Sequence, residues 1–281
     1  MGNCVCPDNL RRMAKDQLFS MKESLLSLRN LTITVGDFYF ERILVDGLNL
    51  EISPESIMAL VGGSGSGKTT TGLSILRLLP PALRVVRGEI IFNGHDLLKY
   101  SAEKMRGIRG KEIGLVFQEP LNAFNPVFTI GYQIAEVFKA HTDLVSQQIF
   151  EKIPQLLEQV GIQDARRIAQ SYPHQLSGGL RQRAMMAQAL AGGPQLLIAD
   201  EPTSNLDVTS QAHIIELFRQ LKEELKLSIL LITHDLGMVA HLADSVAVLS
   251  NGKVVEQGDI KEVLADPKHS YTRELLEAMV V

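Results

Sequence analysis

Residues 62–69 of this 281-residue chain read Gly-Gly-Ser-Gly-Ser-Gly-Lys-Thr and match the phosphate-binding pattern G-x-x-x-x-G-K-[S/T] in full. Residues 56–61 before it have the composition of a buried strand, and the apolar spacing over 69–79 predicts a helix that stops at Pro80. A glycine-rich turn between a strand and a helix presents backbone N–H groups to a phosphate without Cβ clashes. These residue types therefore predict nucleotide binding.

Two side chains of this phosphate loop suit a magnesium nucleotide. Lys68 supplies a point charge to the outer phosphates, and the Thr69 hydroxyl supplies an oxygen ligand to Mg²⁺. A flexible Gly-Ser turn is the alternative interpretation, and the strand and helix patterns on either side disfavour it. The predicted nucleotide-binding residues of the loop are Gly62, Gly63, Ser64, Gly65, Ser66, Gly67, Lys68, Thr69 and Thr70.

Two acidic residues follow a second apolar run at 196–199. Asp200 falls at the carboxyl end of that predicted strand, where open α/β sheets bind ligands, and a carboxylate there can hold Mg²⁺ through water. Alternation along an extended chain directs Glu201 away from Asp200 and toward a γ-phosphate. We therefore predict that Glu201 is the general base or positions the attacking water. A capping or solvated acidic pair is the alternative.

A second small-residue turn, Leu176-Ser177-Gly178-Gly179, precedes a predicted helix over 180–191. Its free N–H groups and the Ser177 hydroxyl form another anion-binding helix end, although a simple N-cap is the alternative. One nucleotide does not need two such ends in one chain. We therefore expect the second end to serve a nucleotide that is bound to another subunit.

The remaining pattern predicts an α/β fold. Uninterrupted apolar strands separated by a helix indicate a parallel sheet that is covered on both faces. Helical spacing dominates roughly 120–190, although Pro154 disfavours the helix with apolar spacing at 149–160, and this region is predicted to be an insert. Strand character is found at 25–52 (broken by Gly36 and Asp46-Gly47), 88–92, 113–117, 196–199 and 228–233, a helix at 208–226, and a hairpin around Asn251-Gly252.

Composition limits the classes of function. The 45% apolar and 21% charged content predicts a globular chain, and a net charge of −4 gives no bulk electrostatic case for nucleic-acid binding. No apolar run approaches the roughly 18 residues that cross a bilayer. Cys4 and Cys6 are the only cysteines, which suits a reducing cytosol. Residues 1–23 are predicted to be a flexible tail, with either Met1 or Met21 as the start, and residues 24–281 one domain.

The ordered motifs resemble those of the ATPase subunit of an ABC transporter, from about residue 24 onward. They are the phosphate loop, Gln118, LSGG at 176–179, 196–201, Ser204-Asn205-Leu206-Asp207 and His234. The resemblance implies a phosphate-loop NTPase (RecA-like) core of parallel strands, with an N-terminal antiparallel β subdomain and an inserted α-helical subdomain. It also implies that two subunits pack head to tail and enclose ATP between the phosphate loop of one and the LSGG of the other.

The same resemblance implies roles for single residues. Gln118 would touch Mg²⁺ and relay to the transmembrane partner, Asp207 would line the dimer seam, and His234 would contact the γ-phosphate. An aromatic residue near 38–40 would stack on adenine; we favour Tyr39, with a core aromatic as the alternative. The predicted catalytic residues are then Glu201, His234 and Lys68, and the predicted metal-binding residues are Thr69, Gln118 and Asp200.

Finer motifs resemble the importers of oligopeptides, dipeptides and nickel. They are Phe117-Gln118-Glu119-Pro120, 124–126, 129–131, 172–175 and the late Pro267-Lys268-His269-Ser270-Tyr271-Thr272. Residues 61–65 are similar to those of nickel-import subunits, and the cysteine-containing C-terminal extension of many peptide-importer ATPases is missing; both features favour the nickel or metal-chelate type. Leu180 departs from the pattern, because many relatives have Gln or Met directly after LSGG.

The predicted function is ATP hydrolysis coupled to the uptake of nickel, a metal chelate or peptides. The resemblance implies a second ATPase subunit (a copy or a paralogue), two permeases, an extracytoplasmic solute-binding protein and a place at the cytoplasmic face of the membrane. No nucleic-acid partner is expected. A soluble ABC-type ATPase with a regulatory or nucleic-acid-linked role is the alternative, and the transported solute stays open.

Overall fold

The computed structural model describes residues 24–36, 41–204 and 206–278. The predicted tail at 1–23 and the predicted adenine contact Tyr39 lie outside these residues. In chain order the described elements are β1 (Leu26–Gly36), β2 (Glu41–Ile52), β3 (Ile57–Val61), α1 (Lys68–Ile75), β4 (Leu83–Phe92), β5 (His95–Asp96), a 3₁₀ turn (Leu97–Lys99), α2 (Ala102–Ile108), β6 (Ile113–Val116), α3 (Pro120–Ala123), α4 (Ile130–His141), α5 (Ser146–Gln159), α6 (Ala165–Gln170), a 3₁₀ turn (Pro173–Gln175), α7 (Gly178–Leu190), β7 (Leu196–Asp200), α8 (Val208–Leu225), β8 (Ser228–Thr233), α9 (Leu236–Leu242), β9 (Ser245–Ser250), β10 (Lys253–Asp259), α10 (Ile260–Ala265) and α11 (Ser270–Glu277).

A six-stranded sheet in the order β10-β9-β3-β8-β7-β6 forms the centre of the fold. The pairs from β9 to β6 are parallel, and only the edge strand β10 runs antiparallel, as the second arm of the predicted hairpin. Every residue of β3, β7 and β8 is buried because both faces of the sheet are covered. The predicted parallel core is thereby confirmed.

A second sheet in the order β2-β1-β4-β5 is antiparallel and forms the predicted N-terminal β subdomain. The sequence predicted a break at Asp46-Gly47, but β2 continues through it. Leu31 pairs with Leu48 and Ile33 with Val45, so two steps on β1 face three on β2. This bulge, with Gly47 at φ +61°, absorbs the extra residue without ending the strand.

The predicted helical insert is present as α3 to α7. Pro154 lies inside α5 without ending it. The side chains of Ile149, Ile153 and Leu157 on the same helix are buried, and this apolar face outweighs the backbone hydrogen bond that proline cannot make.

The helix after the phosphate loop is shorter than the spacing predicted. It ends at Ile75 rather than near residue 79, because Arg77 turns into the left-handed region at φ +52°. The Arg77 N–H bonds to the Ser74 carbonyl and the Leu78 N–H to the Leu73 carbonyl, which is a Schellman ending. The Arg109 guanidinium also donates to the carbonyls of Leu76 and Arg77, over 2.8 and 3.1 Å.

Among the helices that the structure describes, none combines the length and apolar character needed to cross a membrane.

Candidate nucleotide-binding site

The phosphate loop connects β3 to α1, as the sequence predicted. Gly62 and Gly67 have φ of +156° and +107°, in the region that favours glycine. A Cβ at Gly62 would lie 2.1 Å from the Leu249 carbonyl oxygen, and one at Gly67 would lie 3.0 Å from Val45 Cγ2. The loop therefore requires glycine both for its turn and for its close approach to β9 and β2.

Lys68 is the buried cation of this loop, with 7% of its surface exposed. Its Nζ donates to the carbonyls of Gly62 and Gly63 over 2.7 and 3.0 Å. Burial lowers the pKa of Lys68, and the nearby carboxylates of Glu201 and Asp200 oppose that shift. The site thus holds one cation between the loop carbonyls and two acidic groups.

Thr69 and Asp200 form a pair of oxygen donors, with Thr69 Oγ1 donating to Asp200 Oδ1 over 3.1 Å. Burial raises the pKa of Asp200, and the hydrogen bond from Thr69 partly offsets this rise. Hydroxyl and carboxylate oxygens are ligands that Mg²⁺ prefers, so the pair fits that ion. No three His, Cys, Asp or Glu side chains cluster as a metal site in the described ranges, so Mg²⁺ would also need oxygens from water and phosphate.

Glu201 follows Asp200 but does not continue the strand, contrary to the extended alternation that we expected. Its φ is +47°, and its N–H donates to the Ile232 carbonyl of β8 over 2.8 Å. The turn directs the Glu201 carboxylate toward His234, whose Nδ1 lies 2.9 Å from both carboxylate oxygens. Such a backbone conformation is costly for a residue with a side chain and is typical of functional sites.

A cavity of about 640 Å³, within the range of small-ligand sites, brings most of the predicted residues together, although Gly62 and Asp200 do not line it. The Ser66 hydroxyl lies beside Gly62, is buried and has no hydrogen-bond partner among the described residues. Leu44, which the sequence analysis did not single out, also contributes. The lining comprises Leu44, Gly63, Ser64, Gly65, Ser66, Gly67, Lys68, Thr69, Thr70, Gln118, Glu201 and His234.

Gln118 enters the cavity from the segment after β6, at the boundary between the central sheet and the helical insert. The residue is exposed, and its carbonyl accepts a hydrogen bond from Ser204 Oγ over 3.3 Å. The Ser204 hydroxyl shares its single proton between this carbonyl and that of Glu201, which lies 2.9 Å from Oγ. Ser204 therefore connects the backbone of Gln118 to the backbone of the acidic turn.

The second small-residue turn lies elsewhere, since none of residues 176–179 lines the cavity. Ser177 caps α7 by accepting the Leu180 N–H, over 3.4 Å. A Cβ at Gly179 would lie 3.4 Å from Ser210 Oγ, and Ser210 is held by Asp207, the N-cap of α8. Hydrogen bonds from Ser210 keep the pKa of Asp207 low. The LSGG turn and the predicted seam residue Asp207 thus share one surface.

The Leu176 side chain differs from the rest of this turn. It is buried in the hydrophobic core, with 5% of its surface exposed. Ser177 and Gly178, which follow it, are exposed, and Gly179 is half-buried. Leu176 therefore anchors the turn, and the contact surface of the turn consists of Ser177 and the two glycines.

Comparison with known families identifies this arrangement. Residues 45–204, which carry the phosphate loop, Gln118, the LSGG turn and both carboxylates, match the ABC transporter family. The chain belongs to that family. It is 46% identical over 263 residues to a peptidoglycan transport ATP-binding protein, YejF, of Agrobacterium fabrum. It is 44% identical over 256 residues to the oligopeptide transport ATP-binding protein OppD of Bacillus subtilis. The matches span 92% and 91% of the chain, but 48% and 72% of those relatives.

Solved ABC cassettes share the fold of this chain. The dimeric post-hydrolysis structure of the cassette MJ0796 with ADP and phosphate superposes with a TM-score of 0.75 at 26% identity. The superposition covers 84% of this chain and 98% of that one. The predicted phosphate-loop NTPase fold is therefore confirmed, with its parallel core, antiparallel β subdomain and helical insert.

Three contacts of the site were missed by sequence reasoning. They involve Leu44 in the cavity wall, Thr233, whose Oγ1 lies 3.5 Å from Glu201 Oε2, and Tyr271, whose hydroxyl accepts the Gly63 N–H over 2.8 Å. Thr233 ends β8 and directly precedes the predicted site residue His234, so its place in the sequence could have identified it. Tyr271 belongs to a motif that indicated only the importer subgroup.

Proposed function

We propose that this chain is the ATP-binding and ATP-hydrolysing subunit of an ABC importer that takes up peptides. One observation carries the proposal: the phosphate loop, Gln118, Glu201 and His234 line a single cavity, with the Ser177 turn on a different surface. The names of the relatives, which refer to peptidoglycan and oligopeptide transport, support a peptide-like solute. The nickel or metal-chelate assignment stays a prediction, because neither of these relatives tests it.

In this proposal each residue of the cavity has a task in ATP hydrolysis. Lys68 and the loop N–H groups hold the phosphates. Glu201 orients or deprotonates the attacking water, while His234 holds the Glu201 carboxylate and faces the γ-phosphate. Thr69, Asp200 and Gln118 would hold Mg²⁺, which neutralises charge on the phosphates when bound.

The Ser177 turn is proposed to complete the ATP site of a second ATPase subunit, which is either a copy of this chain or a paralogue. The turn has an exposed, glycine-rich helix end of the kind that binds anions, and Asp207 lies beside it. The dimeric state of the ADP-bound cassette MJ0796 supports this arrangement. Further proposed partners are two permeases and an extracytoplasmic solute-binding protein, with the ATPase at the cytoplasmic face of the membrane.

Reconstitution tests the proposal. The chain is placed in sealed vesicles together with a partner ATPase, two permeases and a solute-binding protein from the same source. Uptake of a labelled oligopeptide and of a labelled nickel chelate is then measured with ATP on the chain's side. ATP-dependent peptide uptake supports the proposal, and uptake of the nickel chelate alone would replace its solute. ATP hydrolysis by a chain that never associates with the permeases would favour the soluble ATPase.

A further inference from the structure

Tyr271 lies near the end of the chain, yet its side chain contacts the phosphate loop. The Gly63 N–H donates to Tyr271 Oη over 2.8 Å, across 208 residues of sequence. The approach is close, since a Cβ added at Gly63 would lie 3.0 Å from the same oxygen. One peptide of the loop is therefore held by a side chain from outside the nucleotide-binding motifs.

The segment that carries Tyr271 is itself fixed to the core. The Glu256 carboxylate on β10 accepts the N–H groups of Lys268 and His269, over 2.7 and 3.1 Å. His269 Nδ1 then accepts the Tyr271 N–H over 3.1 Å and so caps α11. Tyr271 and Leu275 pack against the core on the inner side of this helix. These contacts hold the phenol oxygen at a defined place behind the loop.

Both backbone groups of Gly63 are consequently occupied. Its N–H is bonded to Tyr271, and its carbonyl accepts from Lys68 Nζ over 3.0 Å. Lys68 is the side chain that reaches the phosphates, so the position of its acceptors sets how well the loop is arranged before ATP arrives. A loop that is already ordered binds with less loss of conformational entropy.

We propose that Tyr271 is a positioning residue for ATP, and that the segment 267–271 is a structural part of the nucleotide site. The inference rests on the proposed function, in which residues 62–69 bind ATP. Tyr271 lies behind the loop and does not line the cavity, so it acts through Gly63 rather than through the reacting atoms. Its loss should weaken ATP binding and leave the chemical step intact.

The substitution Tyr271→Phe removes the acceptor and keeps the ring. With the full chain and its partner ATPase, we expect KM for MgATP to rise about 3- to 10-fold, the usual worth of one hydrogen bond, and kcat to stay unchanged. Tyr100→Phe is the matched control, because Tyr100 also has a partly buried ring but does not line the cavity. Amide hydrogen exchange at Gly63 should be faster in Tyr271→Phe than in Tyr100→Phe.

A double-mutant cycle separates positioning from general stability. Gly63→Ala should weaken ATP binding more in the wild type than in the Tyr271→Phe background, because the added methyl group meets the phenol oxygen only in the wild type. Additive effects would overturn the inference, and so would a Tyr271→Phe protein that loses kcat and thermal stability together. A wild-type chain that binds no ATP would instead reject the proposed function. Normal binding by wild type and Tyr271→Phe alike would reject only the role of Tyr271.

Discussion

Two glycine-rich helix ends occur in this chain, and their surroundings differ. The phosphate loop encloses the buried Lys68, has two carboxylates in front of it and contacts Tyr271 from behind. The Ser177 turn has its own N-cap hydrogen bond, exposed residues at Ser177 and Gly178, and a neighbouring helix end at Asp207. Similar sequence patterns therefore produce one helix end with the side chains for ATP hydrolysis and one with only a surface for contact with another molecule. The first can bind a nucleotide unaided, whereas the second needs a nucleotide brought by another molecule.

The largest expected effect comes from a substitution in front of the phosphate loop that slows ATP hydrolysis but preserves ATP binding. Glu201→Gln keeps the shape of the side chain but loses the base, so hydrolysis should fall about 10²- to 10⁴-fold while ATP still binds. Steady-state phosphate release and equilibrium binding of labelled ATP measure the two properties. Glu216→Gln is the control, because Glu216 is an exposed partner of Arg219. A Glu201→Gln chain that hydrolyses ATP at the normal rate would remove Glu201 from the chemistry.

The next effect tests whether the second helix end acts on a different molecule. Ser177→Asp keeps an oxygen acceptor for the cap but places a negative charge where a phosphate would bind, so α7 should remain folded. We expect hydrolysis to fall about 10- to 100-fold, the worth of a hydrogen bond to a charged group. In a dimer with one substituted subunit, the defect should appear at the phosphate loop of the unsubstituted subunit. A defect confined to the substituted subunit's own loop would rule out this pairing.

The pairing of Glu201 with His234 shows which parts of the site could be predicted from sequence. The strand, loop and helix around Lys68 depend on neighbouring residues, so local patterns identified them. The direction of Glu201 depends on a φ of +47° that its neighbours on β8 impose, and alternation along the chain gave the wrong geometry. The bond from Gly63 to Tyr271 joins residues 208 apart and has no local signal.

The same division applies to the fold. The uninterrupted apolar strands predicted the parallel sheet, because a strand that is apolar at every position must be covered on both faces. The continuation of β2 through Asp46-Gly47 was not predicted, since it depends on pairing with β1 across the bulge. The early end of α1 at the left-handed Arg77 has a contact with no local signal, because Arg109 donates to its carbonyls from the end of α2.

A third prediction concerns the metal at the first helix end. Asp200→Asn keeps a hydrogen-bond acceptor for Thr69 but removes the charge that would hold Mg²⁺ through water. The Mg²⁺ concentration for half-maximal hydrolysis should therefore rise about 10- to 100-fold, the usual cost of losing an outer-shell partner. Titration of Mg²⁺ at constant ATP measures this midpoint. Asp46→Asn, which alters an exposed partner of Lys253, is the control. Equal midpoints for the two variants would contradict the metal assignment of Asp200.

The smallest expected effect concerns the support of α1 rather than its reactive end. Arg109 donates to the carbonyls of Leu76 and Arg77, where the helix after the phosphate loop ends in a left-handed turn. Arg109→Met keeps much of the side-chain bulk and removes both donors, so the free energy of unfolding should fall by about 1–2 kcal/mol.

The midpoint of urea unfolding measures this loss, with Arg106→Met as the control on the exposed side of α2. ATP affinity should change little, because the two carbonyls lie at the far end of α1 from Lys68. If Arg109→Met instead weakened ATP binding as strongly as it lowered stability, the two ends of α1 would be coupled. The contrast between a reactive and a supporting end of the same helix would then be wrong.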